Sequence, residues 1–155
     1  MTTYDKWLDP SVTFTPDTAA YTAGDVISGA GATTGLVFDL TGSSSGGGLI
    51  NSLVVADSEG IGAAGALWLF KADLATPIAD QAAFAVAFAD FANLITILTI
   101  PSYTTISSMK VAVLEDINTK FQVTQNRIFG YFVASGAPDW AASKSVYIRL
   151  GILTQ

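Results

Sequence analysis

The stretch SVYIRLGIL, residues 145–153, decides the fold class of this chain. Its aliphatic residues at alternate positions are Val146, Ile148 and Leu150, and Arg149 falls between them. Successive side chains of a β-strand point to opposite faces, so this alternation predicts a strand with one buried face and one face in water.

Similar short segments recur along the chain at spacings of about 10–15 residues, with Gly, Pro, Asn or Asp between them. Besides 145–153, the predicted strands are residues 12–15, a turn and strand at 21–27, then 36–40, 49–56, 66–70, 94–100, 110–114 and 127–134. We found no alternation of strands with helices and no internal repeat. The sequence therefore predicts an all-β fold, an antiparallel two-sheet sandwich of the jelly-roll type.

The apolar segment at residues 82–100 is the one region of ambiguous pattern. Asp90 near its centre disfavours a membrane span, because a carboxylate at mid-membrane costs about 2.5–3.5 kcal/mol. Phe84 and Phe88 fit a period of two, and together with Phe91 they also fit helical spacing. We expect a short extended piece followed by one helical turn, with Asp90 as its N-cap.

Composition favours a chain that assembles with other chains. The 155 residues are 50% hydrophobic and only 13% charged, against about 25% charged in an average soluble domain. A surface with few charges is easier to desolvate. We therefore expect a single domain with a substantial core that forms an oligomer or joins a lattice.

The charge pattern disfavours nucleic acid and anionic membranes as partners. The formal net charge is −6, and no two cationic residues are adjacent. The cations are Lys6, Lys71, Lys110, Lys120, Lys144, Arg127 and Arg149. A nucleic-acid binder needs a basic stripe that releases counterions from phosphates.

The residue inventory argues against an enzyme. The chain has no Cys and no His, which removes disulfides, thiolate chemistry, the usual zinc sites and imidazole catalysis. The nearest carboxylate pairs are Asp57 with Glu59, in a Gly-containing turn, and Glu115 with Asp116, which would point to opposite faces. We expect no catalysis and no cofactor, with a bridging Ca²⁺ at Asp57, Glu59 or Asp139 as the open alternative.

The glycine-rich tract TGSSSGGG at residues 41–48 does not fit a phosphate-binding loop. A P-loop carries a Lys and a hydroxyl residue after its last Gly, whereas Leu49 follows Gly48 here. The tract is typical of a flexible surface connection.

Residues 1–10 are predicted to form an extended, irregular N-terminal arm, followed by one sandwich domain at residues 11–155. The arm has no apolar region of the signal-peptide kind. It carries three large apolar side chains, Tyr4, Trp7 and Leu8. These residues could dock on the chain's own core or on a neighbouring subunit.

Two tryptophans outside the arm have different expected roles. Trp68 lies in an apolar strand and is expected in the core. Trp140 follows Pro138 and Asp139 in a turn, where it could anchor the loop or present an exposed ring to a sugar or a partner. The candidate interface residues are therefore Tyr4, Trp7, Leu8 and Trp140.

Several segments, taken in their order along residues 20–152, resemble small structural proteins of tailed bacteriophages of the capsid decoration (cement) type. The segments are YTAGDVI at 21–27, GLINSLVVAD at 48–57, LWLFKA at 67–72, DQAAF at 80–84, AD at 89–90, GAPDW at 136–140 and VYIRLG at 146–151. None of these motifs is catalytic. The glycine-rich tract and the aromatic arm lie outside the resemblance.

The resemblance implies a β-sandwich on the capsid exterior of a virion assembled in the host cytoplasm. It implies a homo-oligomer, commonly a trimer, that contacts the major capsid protein and stabilises the head by bridging capsid subunits. The alternative is a carbohydrate- or host-binding β-sandwich module of a virion appendage. A site of that kind needs several exposed aromatics in one groove, and only Trp140 and Tyr103 have loop positions, which favours the cement function.

Overall fold

The computed structural model describes residues 6–43, 46–141 and 144–154. Nearly all of its regular structure is β, arranged as two antiparallel sheets packed face to face, which confirms the predicted sandwich. The strands are β1 (Lys6–Leu8), β2 (Ser11–Phe14), β3 (Val26–Ile27), β4 (Leu36–Asp39), β5 (Gly47–Asp57), β6 (Gly65–Phe70), β7 (Leu94–Thr99), β8 (Thr104–Ile106), β9 (Met109–Leu114), β10 (Thr119–Gln122), β11 (Arg127–Ala134) and β12 (Val146–Thr154).

The first sheet has seven strands and is built around β5 and β12. These two strands have 11 and 9 residues, so each is long enough to pair with two short strands on its other side. The first half of β5 pairs with β10 and the second half with β9, which in turn pairs with β8. Likewise β12 pairs with β2 and then with β1.

The second sheet has five strands, with β11 and β6 at its centre. On one side of β11 lie β4 and then β3, each along a different part of the strand. On the other side β6 pairs with β11 and then with β7. No described strand pairs with β7 on its far side.

The main core lies between the two sheets, and the alternating residues of β12 enter it as predicted. Val146, Ile148 and Leu150 are buried, whereas Tyr147 and Arg149 are partly exposed on the outer face. This confirms the strand from which the fold class was predicted.

A second apolar cluster lies on the outer face of the second sheet. The segment at residues 71–93, which connects β6 to β7 and is called the crossover below, passes over this face. Its Leu74 and Ile78 pack with Phe70 and Tyr131. Strands of the second sheet are therefore covered on both faces, which explains why β6 is apolar on both sides. Trp68 is partly buried against this second cluster and not in the main core.

The end of the crossover forms a 3₁₀ helix at Phe88–Asn93, preceded by an extended piece. The predicted order is right, but Asp90 is not the N-cap. Ala87 occupies that position and makes no side-chain cap bond. Asp90 is buried inside the helix, and its Oδ1 accepts a hydrogen bond from the Ala75 N–H at 3.2 Å. This hydrogen bond links the helix to Ala75 in an earlier part of the crossover.

Residues 6–8 form β1, a strand at the edge of the first sheet, so the prediction of an irregular arm is wrong for these residues. The register places Trp7 opposite Leu153. Pairing with β12 satisfies backbone groups that an irregular arm would leave to water. The short strands β8 and β10 were not predicted. No helix in the part of the chain that the structure describes is long and apolar enough to cross a membrane.

Candidate partner-binding surface

Trp140 is buried and does not offer its ring to a partner. It is only 1% exposed, and its ring meets the Tyr21 ring edge-on with centroids 5.4 Å apart. Its indole Nε1–H donates to Asp57 Oδ2 at 3.2 Å. Of the two roles that the sequence leaves open, the structure gives this residue that of a loop anchor.

Asp57 organises the turn in which it lies. It is buried, and besides Trp140 it accepts hydrogen bonds from the N–H groups of Glu59 (2.9 Å), Gly60 (3.3 Å) and Gly62 (2.9 Å). Glu59 in turn accepts from the Ala141 N–H at 3.0 Å. The carboxylates of this pair are therefore engaged in holding the two loops together, as the turn chemistry predicts.

The other polar candidates do not converge on a site. Glu115 and Asp116 are exposed in the connection between β9 and β10. Within residues 6–43, 46–141 and 144–154, no group of three acidic side chains could hold a metal ion.

A cleft of about 390 Å³ opens near the start of the crossover, and its lining residues are Lys71, Ala72, Asn93, Gln122 and Thr124.

The candidate residues of the N-terminal segment divide between the two faces of the first sheet. Leu8 packs against the main core of its own chain. Trp7 is exposed on the outer face, where its ring covers Gly151 so closely that a Cβ there would lie 2.8 Å from Trp7 Cζ2. Tyr4 lies outside the described residues. The structure thus joins Trp7 and Leu8 to the chain's own sheet and, of these two, leaves Trp7 on the surface.

Adjoining aromatic side chains that are exposed or partly exposed lie instead where the end of the crossover meets β6 and β7. We call this group the aromatic surface, defined by Trp68, Phe84, Phe88, Phe91 and Ile97. Phe88 is 92% exposed, the largest exposure among the large hydrophobic residues that the structure describes. Its ring centroid is 6.5 Å from that of Phe91, which is 6.5 Å from Trp68, and Trp68 is 5.1 Å from Phe84. The four rings therefore form a continuous chain.

Local structure explains why these rings meet. Side chains three residues apart lie over one another in a 3₁₀ helix, so the helix places Phe88 beside Phe91. The register of β6 and β7 places Trp68 opposite Ile97 on the outer face. The spacing of the three Phe residues was visible in the sequence, but their exposure was not.

Hydrogen bonds hold the crossover that carries these rings. The Ala82 carbonyl accepts from the Val26 N–H, and the Phe84 N–H donates to the Gly24 carbonyl, at 2.9 and 2.8 Å. Further back, the Asp80 carboxylate accepts from the Ser28 N–H at 2.7 Å. The three Phe residues of the aromatic surface thus lie on a segment that is hydrogen-bonded to the sheet edge at β3.

Burial shifts the pKa of both titratable groups at this anchor, Asp80 and Tyr21. Burial raises the pKa of the Asp80 carboxyl above its usual range, although hydrogen bonds from Ser28 and Tyr21 act in the opposite direction. The Tyr21 hydroxyl donates to both Asp80 oxygens at 3.0 Å, and its pKa is also raised by burial. No charged residue lies between Asp90 and Lys110 in the sequence.

Two exposed rings, Phe88 and Phe91, that continue into partly buried ones form an arrangement that binding surfaces of proteins use. Scattered apolar residues on a surface need no explanation, but contiguous ones mark interaction sites. Aromatic side chains are also enriched among the residues that dominate interface energetics. The aromatic surface is therefore the candidate functional site of this chain.

Comparison with known proteins adds no relative. No protein-family model matches the chain, and no curated protein matches it at a significant level.

Proposed function

We propose that this protein is a structural component that works by binding other protein chains through its aromatic surface, and that its setting is a virion. The observation that carries the proposal is the 92% exposure of Phe88 within a continuous chain of rings. An exposed Phe gains the free energy of burial only when another molecule covers it, which for a Phe side chain is about 1.5–3 kcal/mol.

The finer part of the proposal follows the resemblance given above. The protein is a capsid decoration, or cement, protein on the capsid exterior. It associates with copies of itself, the trimer being the form that the resemblance implies, and it bridges subunits of the major capsid protein. The low charge supports this assignment, because a surface with few charges is easier to desolvate against another protein. The β-sandwich supports it because this is the fold that the resemblance implies. Catalysis has no part in the proposed function.

The carbohydrate-binding alternative loses its two candidate residues. Trp140 is buried, and the Tyr103 hydroxyl donates to the Ala63 carbonyl at 3.0 Å inside its own chain. Neither ring is placed to stack on a sugar. The aromatic surface itself supplies exposed rings, so a carbohydrate- or host-binding module stays the second candidate function, and glycan binding that is lost in Phe88→Ser would favour it over the assembly function.

The test is to rebind the purified chain to virus particles from which this protein has been stripped. Phe88→Ser should weaken binding by about 30-fold, the equivalent of about 2 kcal/mol for an interface aromatic. Because the ring is exposed, thermal unfolding of the variant should match that of the unmodified chain.

The matched control is Val113→Ser, which removes an exposed apolar side chain from β9 on the other sheet. Its particle binding should be unchanged. Equal weakening by both substitutions, or undiminished binding of the Phe88 variant, would remove the aromatic surface from the proposed function. Failure of the unmodified chain to bind the particles at all would refute the virion setting.

A further inference from the structure

Arg149 lies on the outer face of the first sheet, on the side of the sandwich opposite to the aromatic surface. The alternation of β12 that buries Ile148 and Leu150 turns Arg149 outward, and its side chain is 40% exposed. Its cross-strand neighbours are Ser11 on β2 and Val54 on β5. The residue therefore has a strand on each side and does not lie at the rim of the sheet.

Aromatic side chains flank Arg149 along β12. Two residues further on, the Trp7 ring covers Gly151, and two residues before it Tyr147 lies on the same face. Positions two residues apart on a strand are separated by about 7 Å. Arg, Trp and Tyr are the residue types that dominate binding energy in protein interfaces. We call this region the arginine face, defined by Trp7, Val54, Tyr147 and Arg149.

The guanidinium of Arg149 has an ion-pair partner, but its Nε–H has no hydrogen-bond acceptor within the part of the chain that the structure describes. The Nε atom is buried and lies 4.0 Å from Asp9 Oδ1, which is too long for a hydrogen bond. A guanidinium carries five N–H donors in a planar fork that fits a carboxylate through two parallel bonds. Because most buried donors in proteins are hydrogen-bonded, this one indicates an acceptor supplied by another molecule.

The charges on the strands of the first sheet favour an acidic partner. These strands carry four cations and one acidic residue, Asp57, which is buried. The cations are Lys6, Lys110, Lys120 and Arg149. A partner that presents carboxylates therefore meets no exposed carboxylate from these strands. Two copies of the chain joined face to face about a two-fold axis would instead oppose cations to cations, which disfavours that arrangement.

We propose that the arginine face binds an acidic surface of the capsid, and that Arg149 holds a carboxylate of that surface through paired hydrogen bonds. The Trp7 and Tyr147 side chains on either side cover apolar groups of the partner and exclude water from the charged contact. This inference rests on the proposed function and deepens it. A protein that bridges capsid subunits needs two separate contact surfaces, and the arginine face and the aromatic surface lie on opposite sides of the sandwich.

The experiment measures binding of the full chain to the stripped particles at low and at high salt. Arg149→Gln should weaken binding at low salt by about 30-fold, since loss of one partner of a buried, hydrogen-bonded charge pair has an effect of this size. Arg149→Lys should also weaken binding, because an ammonium group cannot form the paired bonds. High salt should weaken binding of the unmodified chain more than binding of Arg149→Gln.

The matched control is Asp9→Asn, which removes the ion-pair partner of Arg149 and keeps the guanidinium. This variant should bind at least as tightly as the unmodified chain, whereas a role of Arg149 confined to its ion pair with Asp9 predicts equal weakening by both substitutions. Arg127→Gln, on β11 of the other sheet, changes the net charge by the same amount as Arg149→Gln and should leave binding unchanged. Thermal unfolding of each variant checks that the fold is retained.

Undiminished particle binding of both Arg149 variants, or an equal loss with Asp9→Asn or Arg127→Gln, would overturn this inference and leave the proposed function in place. Failure of the unmodified chain to bind the particles would overturn both. A loss of self-association in Arg149→Gln without a loss of particle binding would show that the occupant is a second copy and that the inference is wrong. Val113 lies on β9, two strands from β12, where contacts around such anchors contribute little, so Val113→Ser remains a valid control.

Discussion

Replacement of Asp57 by Ala should cost this protein a large part of its stability. The buried carboxylate is the common acceptor for three backbone N–H groups and the Trp140 indole, at distances of 2.9–3.3 Å. Alanine removes every acceptor and leaves the buried indole N–H and three partly buried backbone N–H groups without this partner.

The magnitude follows from the number and quality of these bonds. A hydrogen bond to a charged group contributes about 1.5–3 kcal/mol, and an unsatisfied buried donor costs about 1–3 kcal/mol. Three of the four bonds are 3.2 Å or shorter. The donors share one acceptor and can regain water if the turn loosens, so their losses are not additive. We expect Asp57→Ala to lower the free energy of unfolding by about 4 kcal/mol, out of about 5–15 kcal/mol for a typical domain.

Urea unfolding followed by tryptophan fluorescence measures this loss, because Trp140 itself reports on the site. Asp57→Asn should lower the free energy of unfolding by less than Asp57→Ala. The Asn side-chain oxygen still accepts from the Glu59 N–H, but its NH₂ group faces the Gly62 and Trp140 donors and cannot accept from them. The control is Asp39→Ala. That carboxylate caps its own turn at Thr41 on the exposed side of β4, so its removal should shift unfolding far less. A loss below about 1 kcal/mol for Asp57→Ala would refute the assignment of Asp57 as the organising acceptor.

Two further predictions concern pH and packing. Because the folded-state pKa of Asp80 is raised, its contribution to stability is present below the usual Asp pKa of about 4 and declines as pH rises through the folded value. The unfolding midpoint of the unmodified chain should thus fall relative to Asp80→Asn as pH rises above about 4, and a constant difference would contradict this. Gly151→Ala should cost about 1–3 kcal/mol in urea unfolding, since its Cβ would collide with Trp7 and Ser52. In a Trp7→Ala background, Gly151→Ala should lower the free energy of unfolding by less. An equal loss in both backgrounds would show that the Trp7 indole does not constrain Gly151.

The position of the aromatic surface shows where sequence reasoning stops. Phe84, Phe88 and Phe91 were visible as a pattern that fits either a strand or a helix. Which rings are buried depends on the outer face of the second sheet, because Phe84 packs there while Phe88 extends past it. A periodic pattern reports that a segment has an apolar face, but not whether another element covers that face.

The sequence by itself determined the fold class and the central strands. Alternation in β12 and the β-branched run in β5 define strands locally, because side chains on a pleated backbone must alternate between the faces. The absence of His and Cys equally needed no structure to exclude the chemistry of those residues.

Only the tertiary structure shows which short strands pair with which and which side chains are buried. The short strands β8 and β10 have little signal of their own and form by pairing with strands already in the sheet. The sequence left Trp140 as either a loop anchor or an exposed ring. Its burial depends on Asp57, 83 residues away, which accepts a hydrogen bond from the indole N–H. Burial and edge pairing are set by contacts between residues far apart in the chain, and local sequence patterns carry no information about those contacts.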